Sequence, residues 1–234
     1  MKIHACVFCC AFAFTMALAG CKKETPNSMS STSSAPATAP ATAPATAPAA
    51  NAPAASPADS GGSSADSTDK LAGAQWAMKQ DEIKNDPKGQ WAIQATSSSS
   101  YQDAQGNASW SANQATGAPN AEKYADDGKA WTSKEQDAGI EWLDLKYPKP
   151  VHAEEVRVRE SYGSGAVVKV EVFDEQSQGH VVWAGNDPTK ELNYLLVKFP
   201  KTAFKTDRVK ITLATNVVPG WNEIDAVQLV GADQ

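Results

Sequence analysis

The sequence predicts an all-β domain, an antiparallel β-sandwich, on three observations. Short runs rich in Val, Ile, Leu and Trp recur between residues 90 and 234, several of them alternate apolar and polar residues, and Pro, Gly, Asn and Asp punctuate them. In order, the runs are "IEWLDLKY", "AEEVRVRE", "AVVKVEVFD", "HVVWAG", "YLLVKF", "DRVKITLAT" and "EIDAVQLV". Val156 and Val158 alternate with Arg157 and Arg159; Val168, Val170 and Val172 with Lys169 and Glu171; Val209, Ile211 and Leu213 with Arg208, Lys210 and Thr212. Each such strand turns one face to a core and the other to water. "FDEQSQGH" fits a hairpin connection between two of them. With no long helical pattern to interrupt it, the region 90–234 is long enough for one sandwich with a single core.

Three segments precede it. Residues 1–20, "MKIHACVFCCAFAFTMALAG", combine an early Lys, an apolar run and small residues, the pattern of a secretory signal rather than a spanning helix. With the following Cys21 the ending "LAGC" resembles the lipobox of bacterial lipoproteins, which implies acylation of Cys21 and a membrane anchor; the other reading is a secreted chain with an incidental Cys. Lys22, rather than Asp, directly after that Cys resembles the sorting pattern of the outer membrane. From Cys21 to Asp69 the chain is dominated by Ala, Pro, Thr and Ser, including "APATAPATAPATAPA". That composition cannot offset its own ordering entropy and favours extended polyproline conformations, so a disordered tether is expected. Such a stretch reaches about 40 Å as a coil and roughly 150 Å fully extended. In the lead-in 70–89, Leu71 and Met78, and likewise Trp76 and Ile83, lie seven apart near one helix face, and "DPKG" then stops the helix.

Composition excludes several chemistries. All four cysteines, Cys6, Cys9, Cys10 and Cys21, lie in or at the end of the signal, leaving the domain none for a disulfide, a zinc site or a thiol nucleophile. The net charge of −6 becomes about −7 once Lys2 leaves with the signal, and no Lys/Arg cluster offsets it, so no nucleic-acid partner is expected. His152 and His180 sit at strand edges or turns, without a nucleophile elbow or a phosphate-cradling loop. "YGSGA", residues 162–166, joins two strands and reads as a turn. Glu223 and Asp225 lead into the last strand, where strict alternation places them with Val227 and Leu229. Two residues apart on one strand, they are poorly arranged to face each other across a glycoside, so no enzyme is expected.

Beyond these exclusions, the stretch from Trp91 to Gly231 resembles the discoidin, or coagulation factor 5/8 type C, domains and the related bacterial carbohydrate-binding modules of the galactose-binding-like jelly roll. The resemblance is carried by "WAIQATSSSS" at the opening, "SANQATGAPNAEKYADDGKAWTS" as a long early loop, "IEWLDLKYPKPVHAEEVRVRE" as a strand pair and "WNEIDAVQLVG" at the close. The chain lacks the cysteine pair that joins the ends of many animal members, and its early loop is longer. The resemblance implies a jelly roll with a ligand site in the loops at one end, often for a sugar, and a structural calcium ion nearby. It points to Glu223 as an ion ligand, with Asp126, Asp127 and Asn120 as loop candidates, which suits the oxygen preference of calcium. Sugar rings lie on aromatic faces while polar neighbours bind their hydroxyls. The aromatic candidates are Trp110, Tyr124 and Trp131 in the early loop, Tyr162 in "ESYGSG" and Trp221 after "NVVPG", with Arg159 as a polar neighbour. Taken singly, each aromatic is more often a core or rim filler of a β-sandwich, and Arg159 a paired surface charge. The expected role is an envelope lipoprotein displaying a non-catalytic module for a glycan or cell-envelope polymer; the rival is a scaffold that binds another envelope protein.

Overall fold

Pro148 and Pro150 divide one long strand between two sheets. The computed structural model describes residues 63–233, so the expected signal, Cys21 and most of the tether lie outside the described residues. "IEWLDLKY" and "AEEVRVRE" run together as β3 (Ile140–Tyr162), with a register shift between Lys146 and Val151. The two prolines fall inside that shift; lacking N–H groups, they cannot continue a regular ladder there. The first half of β3 pairs with β2 (Gln94–Ser97) and β7 (Thr206–Ala214), and β7 pairs with β4 (Val167–Phe173). β4 in turn forms a hairpin with β5 (Gly179–Ala184), with Phe173 opposite Gly179 as "FDEQSQGH" predicts. The second half of β3 pairs with β6 (Asn193–Lys198) and β8 (Glu223–Ala232), and β1 (Gly89–Trp91) covers the far edge of β8. All of these pairings are antiparallel. The product is an open β-sandwich of the predicted class. Leu143, Leu145, Val156, Val158, Val170, Val172, Val209, Ile211 and Leu229 fill its core.

β8 departs from strict alternation. Arg159 stands opposite Ala226 and Glu160 opposite Ile224, so Asp225 is an extra residue, a β-bulge. Ile224 points into the core before the bulge, and Val227 and Leu229 do so after it. Glu223 and Asp225 therefore flank Ile224 on the outer face instead of continuing the row of Val227 and Leu229. That face is covered as well, so β8 is buried from Glu223 to Gly231 rather than half wet.

The helix is longer than expected: α1 spans Ser63–Lys84. Of its two apolar pairs, the face of Trp76 and Ile83 docks and Ile83 is buried, while Leu71 and Met78 stay 59% and 65% exposed. Gln228, fully buried in β8, donates from Nε2 to the Ile83 carbonyl at 2.9 Å and accepts from Arg157 Nη1 at 2.9 Å. One of the last-turn carbonyls that a helix leaves open is thereby satisfied. Asp86, just beyond the helix, pairs with Arg157 at 2.9 Å. The expectation that Arg157 and Arg159 project into water is thus corrected: the docked end of α1 lies over them, and Arg159 is buried.

Candidate functional site

The early loop is pinned to the last strand through Trp131. Its N–H donates to the Ile224 carbonyl and the Ile224 N–H donates back, both at 2.9 Å. The indole is 0% exposed and donates from Nε1 to the Ser99 carbonyl at 3.0 Å. Trp131 is therefore a core peg, not the ligand platform expected from its place in the sequence.

Around this peg the loops form a pocket of about 70 Å³ lined by Tyr101, Trp110, Asp126, Thr132 and Trp221. Tyr101 meets Trp110 edge-on at 5.1 Å and Trp221 edge-on at 5.2 Å between ring centroids. Trp110 Nε1 donates to Asp126 Oδ1 at 3.1 Å. The buried Nε1 of Trp221 has no hydrogen-bond partner. Two of the predicted aromatics, Trp110 and Trp221, thus converge. Tyr101, not among the candidates read from the sequence, is the ring that joins them. Tyr124 and Tyr162 form a separate tilted pair at 5.4 Å. Arg159 lies elsewhere, in a groove of about 560 Å³ beside α1, its guanidinium 5.6 Å from the Trp76 ring and 5.0 Å from the Tyr194 ring.

Of the two acids of β8, Glu223 lies beneath the pocket and Asp225 beneath the early loop at Asn120 and Ala121. Glu223 is 1% exposed; its Oε2 accepts from the Asp127 N–H at 3.2 Å and the Ser161 hydroxyl at 3.4 Å, while Oε1 has no partner. Burial pushes this carboxyl up to about 8; the adjacent Asp126 adds to the rise and the Asp127 N–H opposes it. Asp126 therefore touches both the indole of Trp110 and the carboxyl of Glu223, joining the aromatic pocket to the buried acid. Asp225, also 1% exposed, accepts on Oδ1 from the N–H groups of Asn120 at 3.1 Å and Ala121 at 3.2 Å. Burial raises it to about 6, against the pull of those N–H groups and of Arg159. The loop candidates thus divide. Asp126 offers its carboxylate to Glu223, whereas Asn120 and Asp127 meet the two acids through backbone N–H groups. The side chain of Asp127 instead accepts from the Lys129 N–H at 3.1 Å. Among the described residues, no three His, Cys, Asp or Glu side chains gather as a metal cluster.

No curated protein matches the chain. Solved structures with similar folds include a GH29 fucosidase from Ruminococcus gnavus in complex with fucose: 12% identity, TM-score 0.43, covering 64% of this chain and 26% of that one. The lectin domain of lectinolysin complexed with Lewis B antigen matches at 18% identity and TM-score 0.43, covering 59% and 92%. Chitosan-binding module 1 of a Paenibacillus chitosanase/glucanase matches at 13% identity and TM-score 0.41, covering 59% and 94%. The chain spans about a quarter of the fucosidase. Residues 80–234, from the docked end of α1 onward, match the family model described as Pappalysin-1, SD scarf domain, C-terminal, and the chain belongs to that family.

Proposed function

We propose that this chain is a non-catalytic binding module for a glycan or a glycan-like envelope polymer, held at the bacterial envelope by a lipid on Cys21. The observation that carries the reading is the pocket of Tyr101, Trp110 and Trp221, in which an unpartnered indole N–H and the Asp126 carboxylate sit beside aromatic faces. Apolar rings with a donor and an acceptor among them suit a sugar, which carries hydroxyls on an apolar ring. Glu223 and Asp225 support the non-catalytic reading: both are buried and held by backbone N–H groups, rather than flanking an open cleft as a glycosidase pair does.

Calcium fits the acid beneath the pocket. Oε1 of Glu223 is buried without a donor and the Asp126 carboxylate lies against it, two hard oxygen ligands of the kind this ion takes. The ion would neutralise both and so fix the loop that carries Asp126 to Trp110. The outer membrane is the proposed location of the anchor, through Cys21 and the following Lys22.

The test is a glycan array with the full chain, with and without a chelator. Binding is expected, with a loss of at least about tenfold in Trp110→Ala and Trp221→Ala, the scale of losing a stacked aromatic contact. Cys21→Ala is expected to move the chain from the membrane fraction to the soluble one. A chain that binds no glycan on the array, and is instead retained by an envelope protein through Leu71 and Met78, would replace this reading with the scaffold one.

A further inference from the structure

A second pair of acids lies outside the site described above. The loop after β5 folds back over the end of β3 and brings Asp187 to Glu160. Gly165 N–H donates to Glu160 Oε2 at 2.7 Å, and Thr189 N–H donates to Asp187 Oδ1 at 2.8 Å. Each carboxylate is thereby fixed in direction by one backbone donor. The remaining oxygens, Glu160 Oε1 and Asp187 Oδ2, are buried and have no hydrogen-bond partner. Glu160 is only 2% exposed, and the Asp187 carboxyl and the Thr189 hydroxyl both lie within its hydrogen-bonding reach. The carbonyls of Thr189 and Asp187 also turn towards Gly165, where an added Cβ would stand 3.3 Å and 3.6 Å from them. The surroundings are therefore rich in oxygen, with two backbone N–H groups and the Thr189 hydroxyl as the donors.

Two carboxyl groups within reach of each other, each with a buried oxygen that lacks a partner, need a positive charge between them, either a shared proton or a metal ion. We propose that Glu160 Oε1 and Asp187 Oδ2 hold a divalent, calcium-like cation that ties the loop between β5 and β6 to the end of β3. Carboxylate and hydroxyl oxygens are the ligands a hard cation takes, and a site with only two charged ligands belongs in the weak range, about 0.1–1 mM. The pair shares no residue with Glu223 and Asp126, so the site stands or falls independently of the calcium proposed there.

The experiment is amide hydrogen exchange on the full chain, stripped with chelator and then measured without calcium and with about 5 mM calcium, well above that range. Wild type, Glu160→Gln, Asp187→Asn and Glu223→Gln are compared. Exchange across residues 164–166 and 186–190 is expected to slow with calcium in wild type and in Glu223→Gln, and to be unaffected by calcium in Glu160→Gln and Asp187→Asn. The side-chain amide introduced by Glu160→Gln can donate to Asp187, so this variant is expected to melt no lower than chelated wild type, which keeps the comparison between folded proteins. No calcium protection in wild type, its persistence in Glu160→Gln or Asp187→Asn, or its loss in Glu223→Gln would each overturn the proposal.

Discussion

Gly163 holds the end of the sandwich at a point no other residue could occupy unstrained. Its φ is +54°, and an added Cβ would stand 2.2 Å from the Trp221 carbonyl oxygen. Asn222 spans the same gap, donating from Nδ2 to the Gly163 carbonyl at 2.8 Å and to the Val218 carbonyl at 3.2 Å. Gly163→Ala is therefore expected to cost about 2–3 kcal/mol, from a left-handed backbone plus a displaced main chain, and to weaken the proposed glycan binding through Trp221. Urea unfolding checks the first effect, and a cost under about 0.5 kcal/mol would contradict the close approach. The sequence made the turn in "YGSGA" legible but not its partner 58 residues later, because local turn chemistry says nothing about which backbone arrives from elsewhere. The tryptophans teach the same lesson. Trp131 and Trp221 look alike in sequence; only the bridge to Ile224 makes one a core peg, while the other lines the pocket.

At the scale of elements, the strands were the legible part, since alternation and turn residues are local. What alternation could not show is the bulge at Asp225, because an extra residue is defined only against the partner strand. That bulge places both acids under the early loop and so creates the candidate site. The helix was half legible: the spacing identified two apolar pairs, but only contact with β8 decides which pair docks. α1 touches the sandwich through its last turns. Ile83→Ala is expected to cost about 2 kcal/mol, the lower end for losing a buried Ile, since the site lies near the helix end and can partly collapse. In hydrogen exchange, amides at 81–85 are expected to be protected more than those at 68–73, and Ile83→Ala to erase the difference. Equal protection along the helix would contradict docking through its C-terminal end alone.

For the whole molecule, the buried acids set how stability responds to pH. Glu160, Glu223 and Asp225 are raised to about 9, 8 and 6 from ordinary values of 4.5, 4.5 and 3.8, in each case mainly by burial. A carboxyl raised in the folded state binds more protons there than in the unfolded chain at any pH between the two values. Unfolding then releases protons, so these groups favour folding below about pH 4 and oppose it increasingly as pH climbs towards their folded values. Between pH 6 and 8 Glu160 and Glu223 both lie in that window, while Asp225 has largely left it. Each such group contributes up to about 1.4 kcal/mol per pH unit, and other titrating groups dilute the sum. Chelated protein is therefore expected to lose at least about 1 kcal/mol per unit from pH 6 to pH 8, read from urea unfolding at each pH. The proposed calcium ion would reverse the preference, because it would bind the ionised carboxylates and compete with the proton. Saturating calcium should raise stability more at pH 8 than at pH 6 and flatten the slope. A chelated chain whose stability is level or rises across that interval would mean the two acids ionise without a penalty, and would remove the physical need for a cation at either pair.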